Sequence, residues 1–174
     1  MSKVSSNVKV LAEGAVIVAL TIILKDVLPP IYRLPEGGSV SVAGMVPLIW
    51  FALRRGLRAG VMVGAVYGLV NMVLGGYVVD PVQAFIDYPL AFGALGLAGL
   101  FQKYPLVGVT VAIFGRFLAH FASGVWFFWI YAPEGMNPVV YSAIYNGSYL
   151  LVELVISAII IFILDKRQLL KIYL

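Results

Sequence analysis

Six apolar stretches, at roughly 8–28, 40–53, 59–79, 82–102, 105–131 and 142–164, occupy most of this chain. Runs of about 20 such residues match the hydrocarbon thickness of a bilayer. Backbone breakers separate them: Asp26 with Pro29-Pro30, then Arg54, Arg55 and Arg58, then Pro81, Pro105 and the segment APEGMNP at 132–138. With 62% hydrophobic and 11% charged residues, the 174-residue chain has too little polar surface to coat a water-soluble body. A soluble enzyme, a nucleic-acid-binding domain and a receptor with a sizeable extramembrane part are thereby excluded. The expectation is an all-α integral membrane protein, a bundle of six transmembrane helices forming one domain over 1–174.

Charge placement sets the expected orientation. Lys3, Lys9, Arg54, Arg55, Arg58, Lys103, Lys166, Arg167 and Lys171 fall on one side, while Lys25 and Arg33 fall on the other. Basic residues stay cytoplasmic, so both termini are placed inside a cell membrane crossed several times. The opposite side collects Asp26, Glu36, Asp80 and Glu134, so an outward-opening pocket favours a cation. The leading residues MSKVSSNVKV precede the first run without a small-residue cleavage site, which reads as a retained helix. The chain has no cysteine, so disulfides and thiolate chemistry are ruled out.

Ionisable groups inside spans are expensive and mark functional candidates. Here they are Glu13, Asp87, Arg116, His120 and Glu153, joined by Asn71, Gln83 and Asn146. Arg116 and Glu153 lie at similar depth on successive antiparallel spans, which predicts a buried ion pair. The alternative is that Arg116 touches a ligand. Glu13 sits near the inner interface, within reach of water. His120 is either a packed core residue or a ligand contact. Helical spacing puts Arg116, His120, Gly124 and Phe127/Phe128 along one side, with Trp129 about opposite His120. Gly124 either leaves room for a flat molecule or lets a neighbouring helix close in. Asp87 is either a counter-ion for a cationic ligand or a carboxylate placed at a helix start. Tyr141 and Asn146 suit the edge of a heteroaromatic ring, though Asn146 equally suits the backbone beside it. Together these groups describe a flat, cationic, heteroaromatic ligand of vitamin size.

Four strings in order carry a family resemblance: EGGSVSVAGMVPLIWFALRRG at 36–56, DPVQAFIDYPLAFGALGLAGLF at 80–101, GRFLAHFASGVWFF at 115–128 and YAPEGMNPVVYSAIYNGSYL at 131–150. They resemble the thiamine-specific S components of energy-coupling factor transporters. The resemblance implies a thiamine-binding subunit that works with a transmembrane T component and two ATP-binding subunits. It implies no catalysis, no cofactor and no nucleic-acid partner. The chain has no GxxxxGK[ST] motif, so ATP is used by partners. Carried over by position, the binding residues are Asp87, Tyr88, Arg116, His120, Gly124, Tyr141 and Asn146, with Tyr67 from the third span. The family's stacking tryptophan falls on Phe128, with Trp129 adjacent, and its glutamate falls on the shorter Asp87. Ala15 and Ala19, near Ala12, match the small-residue spacing of the family's docking helix. The loop 29–39, with Gly37-Gly38 and Tyr32 as its one aromatic, is the expected lid. Rival readings are an S component for riboflavin or hydroxymethylpyrimidine, a scaffold subunit without a ligand, and an intramembrane enzyme built on His120 and Ser123. Quenching of tryptophan fluorescence by thiamine is the simple expected readout.

Overall fold

The computed structural model describes residues 3–171, with no side-chain detail for 3–6 or 171. Lys3 and Lys171, counted above for orientation, therefore have no described side chain, and the first two residues of MSKVSSNVKV lie outside the described range.

Helix α1, Lys3–Ile22, runs on into a wider turn, Ile23–Val27, and stops before Pro29-Pro30, where Leu28 is already extended. A small antiparallel hairpin follows: β1 (Tyr32–Arg33) pairs with β2 (Ser39–Val40), Tyr32 opposite Val40. Its connecting turn places both Glu36 (φ 58°) and Gly37 (φ 96°) in the left-handed region. That conformation is easy for glycine and costly for glutamate.

The second apolar stretch becomes the ten-residue helix α2, Val46–Arg55. At about 1.5 Å per residue it covers roughly half the hydrocarbon thickness. Met45, Leu48, Ile49, Phe51 and Ala52 are all buried, so α2 is the centre of the core rather than a lipid-facing rod. Helix α3, Leu57–Gly75, starts immediately after Gly56. Helix α4, Pro81–Leu100, is capped by Asp80, whose carboxylate accepts from the backbone N–H of Val82 and Gln83. It widens over Ile86–Leu90 and tightens into a 3₁₀ helix over Ala94–Leu100. Pro89 accounts for the widening, since its ring has no N–H and collides with the carbonyl four residues back. Helix α5, Pro105–Phe127, and helix α6, Pro138–Lys166, complete the bundle; Asn137 caps α6 by accepting from Val139.

Among the described residues, five helical segments are long and apolar enough to cross a membrane: Asn7–Val27, Leu57–Gly75, Pro81–Leu100, Pro105–Phe127 and Pro138–Lys166. Their outward faces carry Val66, Leu69, Val73, Phe114, Leu118, Val155 and Ile159, as expected where lipid is the solvent. Several sequence-derived boundaries shift: the second stretch starts its helix at Val46 rather than 40, and the fifth ends its helix at Phe127 rather than 131. The third stretch ends its helix at Gly75 rather than 79, and the sixth begins at Pro138 rather than 142. Proline at the first helical turn explains the latter, because its missing N–H needs no partner there.

A glycine ladder sets how closely α3 and α4 approach. A side-chain carbon on Gly64 would fall on the Phe92 carbonyl, and one on Gly68 on that of Tyr88. Small residues at four-residue spacing are what allow such backbone contact inside a membrane. At the end of the bundle where α1 begins, Glu13 is not in water as the sequence suggested. Its Oε1 accepts from Arg54 Nη1 at 2.5 Å and its Oε2 from Arg55 Nε at 2.6 Å. Its side chain is only 3% exposed, because the end of α2 brings one guanidinium to each carboxylate oxygen.

Candidate functional site

The opposite end of the bundle holds a cavity of about 430 Å³. The wide end of α1, the hairpin, the end of α3, the start of α4 and the facing stretches of α5 and α6 enclose it. Its centre is Asp87, carried on the wide turn that Pro89 forces into α4. His120 Nδ1 lies 2.8 Å from Asp87 Oδ1. Gln83 Nε2 and Ser123 Oγ each donate to Oδ2 at 2.7 Å. A carboxylate only accepts, so Nδ1 of His120 carries the proton. His120 Nε2 has no hydrogen-bond partner among the described residues. Gln83 is itself fixed, donating to the Tyr77 carbonyl and accepting from Val79 N–H.

Aromatic rings line the walls. Tyr141, Tyr145 and Tyr149 recur every fourth residue along α6, with successive centroids 5.9 and 6.1 Å apart. Phe128 and Tyr77 face each other across 6.0 Å, and the Tyr77 hydroxyl meets that of Tyr131 at 2.7 Å. Tyr88 donates to the Tyr77 carbonyl. Asn146 is fully engaged on its donor side, giving its amide protons to the Ser142 and His120 carbonyls and accepting from the Tyr149 hydroxyl. Gly124 lies where both readings of it place a small residue. It lines the cavity, and a side chain there would strike Ser142 on α6.

The Arg116–Glu153 ion pair expected from depth is not made. Glu153 Oε1 instead accepts from both the backbone N–H and the hydroxyl of Ser41, at 2.7 and 2.8 Å. Arg116 lies 3.8 Å above the Phe92 ring, and its Nε and Nη1 have no hydrogen-bond partner. The depth argument missed a loop that reaches down to take the carboxylate first. The expectation of an acid-dominated mouth also changes. Asp26, Glu36 and Asp87 line the cavity, but so do Lys25, Arg33 and Arg116.

The cavity therefore gathers Asp87, Tyr88, Arg116, His120, Gly124, Phe128, Tyr141 and Asn146. Tyr67 and Trp129 stand outside its lining. Tyr67 is buried behind Phe92, 4.7 Å away edge-on, and its hydroxyl donates to Asp26; Trp129 is 56% exposed. Ser123 donates to Asp87 rather than to His120, so the two do not form a nucleophile–base pair. Gln83 and Asn71, picked out as polar residues within spans, also line the cavity; Lys25, Tyr77, Phe92, Tyr145 and Tyr149 line it without having been proposed as site residues from sequence. The four-residue tyrosine spacing on α6 was the available signal for two of them.

A family model described as thiamine transporter protein matches residues 11–172. The chain belongs to the thiamine transporter protein family. Among curated relatives, thiamine transporter ThiT of Bacillus subtilis is 34% identical over 171 residues, covering 88% of both chains. The thiamine transporter ThiT of Lacticaseibacillus paracasei is 35% identical over 141 residues, covering 70% of both. A solved structure of ThiT from Listeria monocytogenes superposes with a TM-score of 0.84 at 28% identity, covering 93% of this chain and 96% of that one. The relatives are named as transporters, so this member of the thiamine transporter family is a membrane transport protein and not an enzyme.

Proposed function

We propose that this chain is the thiamine-capturing S component of an energy-coupling factor transporter. It takes thiamine from outside the cell and delivers it with a transmembrane T component and two ATP-binding subunits. In this reading residues 1–174 form one domain, α2 is the sixth and shortest membrane helix, and both termini are cytoplasmic. The nine-to-two division of basic residues supports that orientation, and it puts the cavity on the outer side.

The observation that carries the reading is the Asp87 network inside a ring-lined cavity. Thiamine joins a flat aminopyrimidine to a thiazolium with a permanent charge and no N–H. Such a cation needs negative potential rather than a hydrogen bond, so Asp87 can serve it although three donors already occupy its oxygens. The donors hold the carboxylate in place before the ligand arrives. Phe128, Tyr77 and the α6 tyrosines offer faces for the rings. His120 Nε2, the free donors of Arg116 and the Tyr141 hydroxyl offer the polar contacts. A ligand that leaves these buried groups unpaired is rejected strongly.

Calorimetric titration of the purified full chain against thiamine, riboflavin and hydroxymethylpyrimidine tests this reading. Thiamine alone is expected to bind tightly. Asp87→Ala is expected to weaken binding by at least about 100-fold, about 2.7 kcal/mol. Undiminished affinity of that variant, or preference for riboflavin, overturns the assignment.

A further inference from the structure

The hairpin that covers the cavity is fastened to α6 at two places. At its tip, the Tyr145 hydroxyl accepts from Gly38 N–H at 3.0 Å and donates to the Pro35 carbonyl. At its root, Ser41 follows β2 directly and gives both of its protons to Glu153 Oε1. The Ser41 hydroxyl accepts in turn from Gly44 N–H, which ties the root to the start of α2. Tyr145 and Glu153 lie two turns apart on α6, so one helix holds both ends of the cover.

The root is polar where a purely structural contact has no need to be. Glu153 is fully buried, its Oε2 has no partner, and nearby Ser157 Oγ has none either. Arg116 on α5 is also buried, with two N–H groups unsatisfied. An unpaired buried carboxylate oxygen and an unpaired guanidinium are both costly. Ser41 is thus the one described hydrogen-bond donor to Glu153, and the hairpin root is held by that carboxylate.

We propose that Ser41 and Glu153 are positioning residues for ligand retention, a latch that holds the 31–40 hairpin over the cavity and sets how fast bound thiamine escapes. Neither residue lines the cavity. The inference rests on the thiamine-capture reading, so its test includes an arm without ligand.

In that arm, hydrogen–deuterium exchange of the ligand-free full chain in nanodiscs is compared for wild type, Ser41→Ala, Glu153→Gln and the double variant. Each single variant is expected to speed exchange over 31–41 by about 3- to 10-fold, the weight of one hydrogen bond, and leave α3 to α6 unchanged. The double variant is expected to exceed neither single one by much, since the two residues act through each other. In the ligand arm, the thiamine dissociation rate is expected to rise by a similar factor while the association rate stays within about twofold. Unchanged exchange over 31–41, faster exchange throughout the helices, or additive effects overturn the latch. A wild-type chain that ignores thiamine overturns the capture reading instead, and the exchange arm still decides the latch. Where Glu153→Gln does not fold, Ser41→Ala carries the same test.

Discussion

Asp87 is a short side chain held at the cavity wall by the backbone and the donors around it. The wide turn at Ile86–Leu90 advances its backbone toward the cavity, and three donors aim the carboxylate. Asp87 was legible in the sequence as a candidate because a carboxylate inside a span is costly whatever surrounds it. Tyr145 and Tyr149 were not visible in the same way, since aromatic residues occur both in lipid-facing belts and in binding sites. Tryptophan is a related case. Trp126 and Trp129 are 68% and 56% exposed, Trp50 stacks under Arg54, and none of the three lines the cavity. Thiamine is therefore expected to quench the intrinsic tryptophan emission only weakly. Phe128→Trp places an indole in the wall and is expected to convert binding into strong quenching at nearly unchanged Kd. A fluorescence titration that shows strong quenching in the wild type, or none in the variant, contradicts the placement of these rings.

At the scale of elements, the spans were legible from apolar length and from prolines, and their packing was not. Runs of apolar residues give where a helix can lie but not its shape, so the widening at Pro89 and the 3₁₀ stretch of α4 had no signature in the mean hydropathy. The Gly60, Gly64 and Gly68 spacing did carry a signal for close contact with α4, one that a search for charged residues passes over. Gly64→Leu drives a side chain into the Phe92 carbonyl and is expected to cost about 3 kcal/mol, seen as a lower Tm in detergent. A Tm equal to the wild type rejects the close approach. Pro89 allows a subtler separation of fold from site. It is buried against α3 beside Gly68 and lies outside the cavity lining. Pro89→Ala restores the missing N–H, lets the turn narrow and rotates Asp87 away from His120. The expected result is about tenfold weaker thiamine binding, about 1.4 kcal/mol, with Tm no lower than the wild type. Equal affinity of this variant means that the wide turn does not set the Asp87 position.

At the scale of the whole molecule, the two ends of the bundle perform separable tasks. One end carries the cavity and the Asp87 network, while the other locks α1 to α2 through Glu13, Arg54 and Arg55. Those three residues fix one face of α1, and the face turned away is left bare: Ala12, Ala15 and Ala19 are exposed, flanked by Leu11, Val16 and Leu20. Small exposed residues at four-residue spacing let another membrane helix come close. In the proposed transporter that helix belongs to the T component, and α1 can receive it without disturbing the cavity because Glu13 anchors the opposite face. The separation predicts a clean split between two measurements. Ala15→Trp and Ala19→Trp fill the groove on the exposed face and leave the Asp87 network untouched. Both are expected to keep the wild-type Kd for thiamine in calorimetry and to lose co-purification with co-expressed T component and ATP-binding subunits. Glu13→Ala acts on the same helix from its buried face, removing the carboxylate that joins α1 to Arg54 and Arg55, and is expected to lower Tm by the equivalent of about 3 kcal/mol as well as weakening assembly. If the tryptophan variants assemble normally, the bare face of α1 is simply lipid-facing and the docking surface lies elsewhere on the bundle. If instead they lose thiamine binding at full stability, the two ends are energetically joined, and the cavity responds to whatever packs against α1.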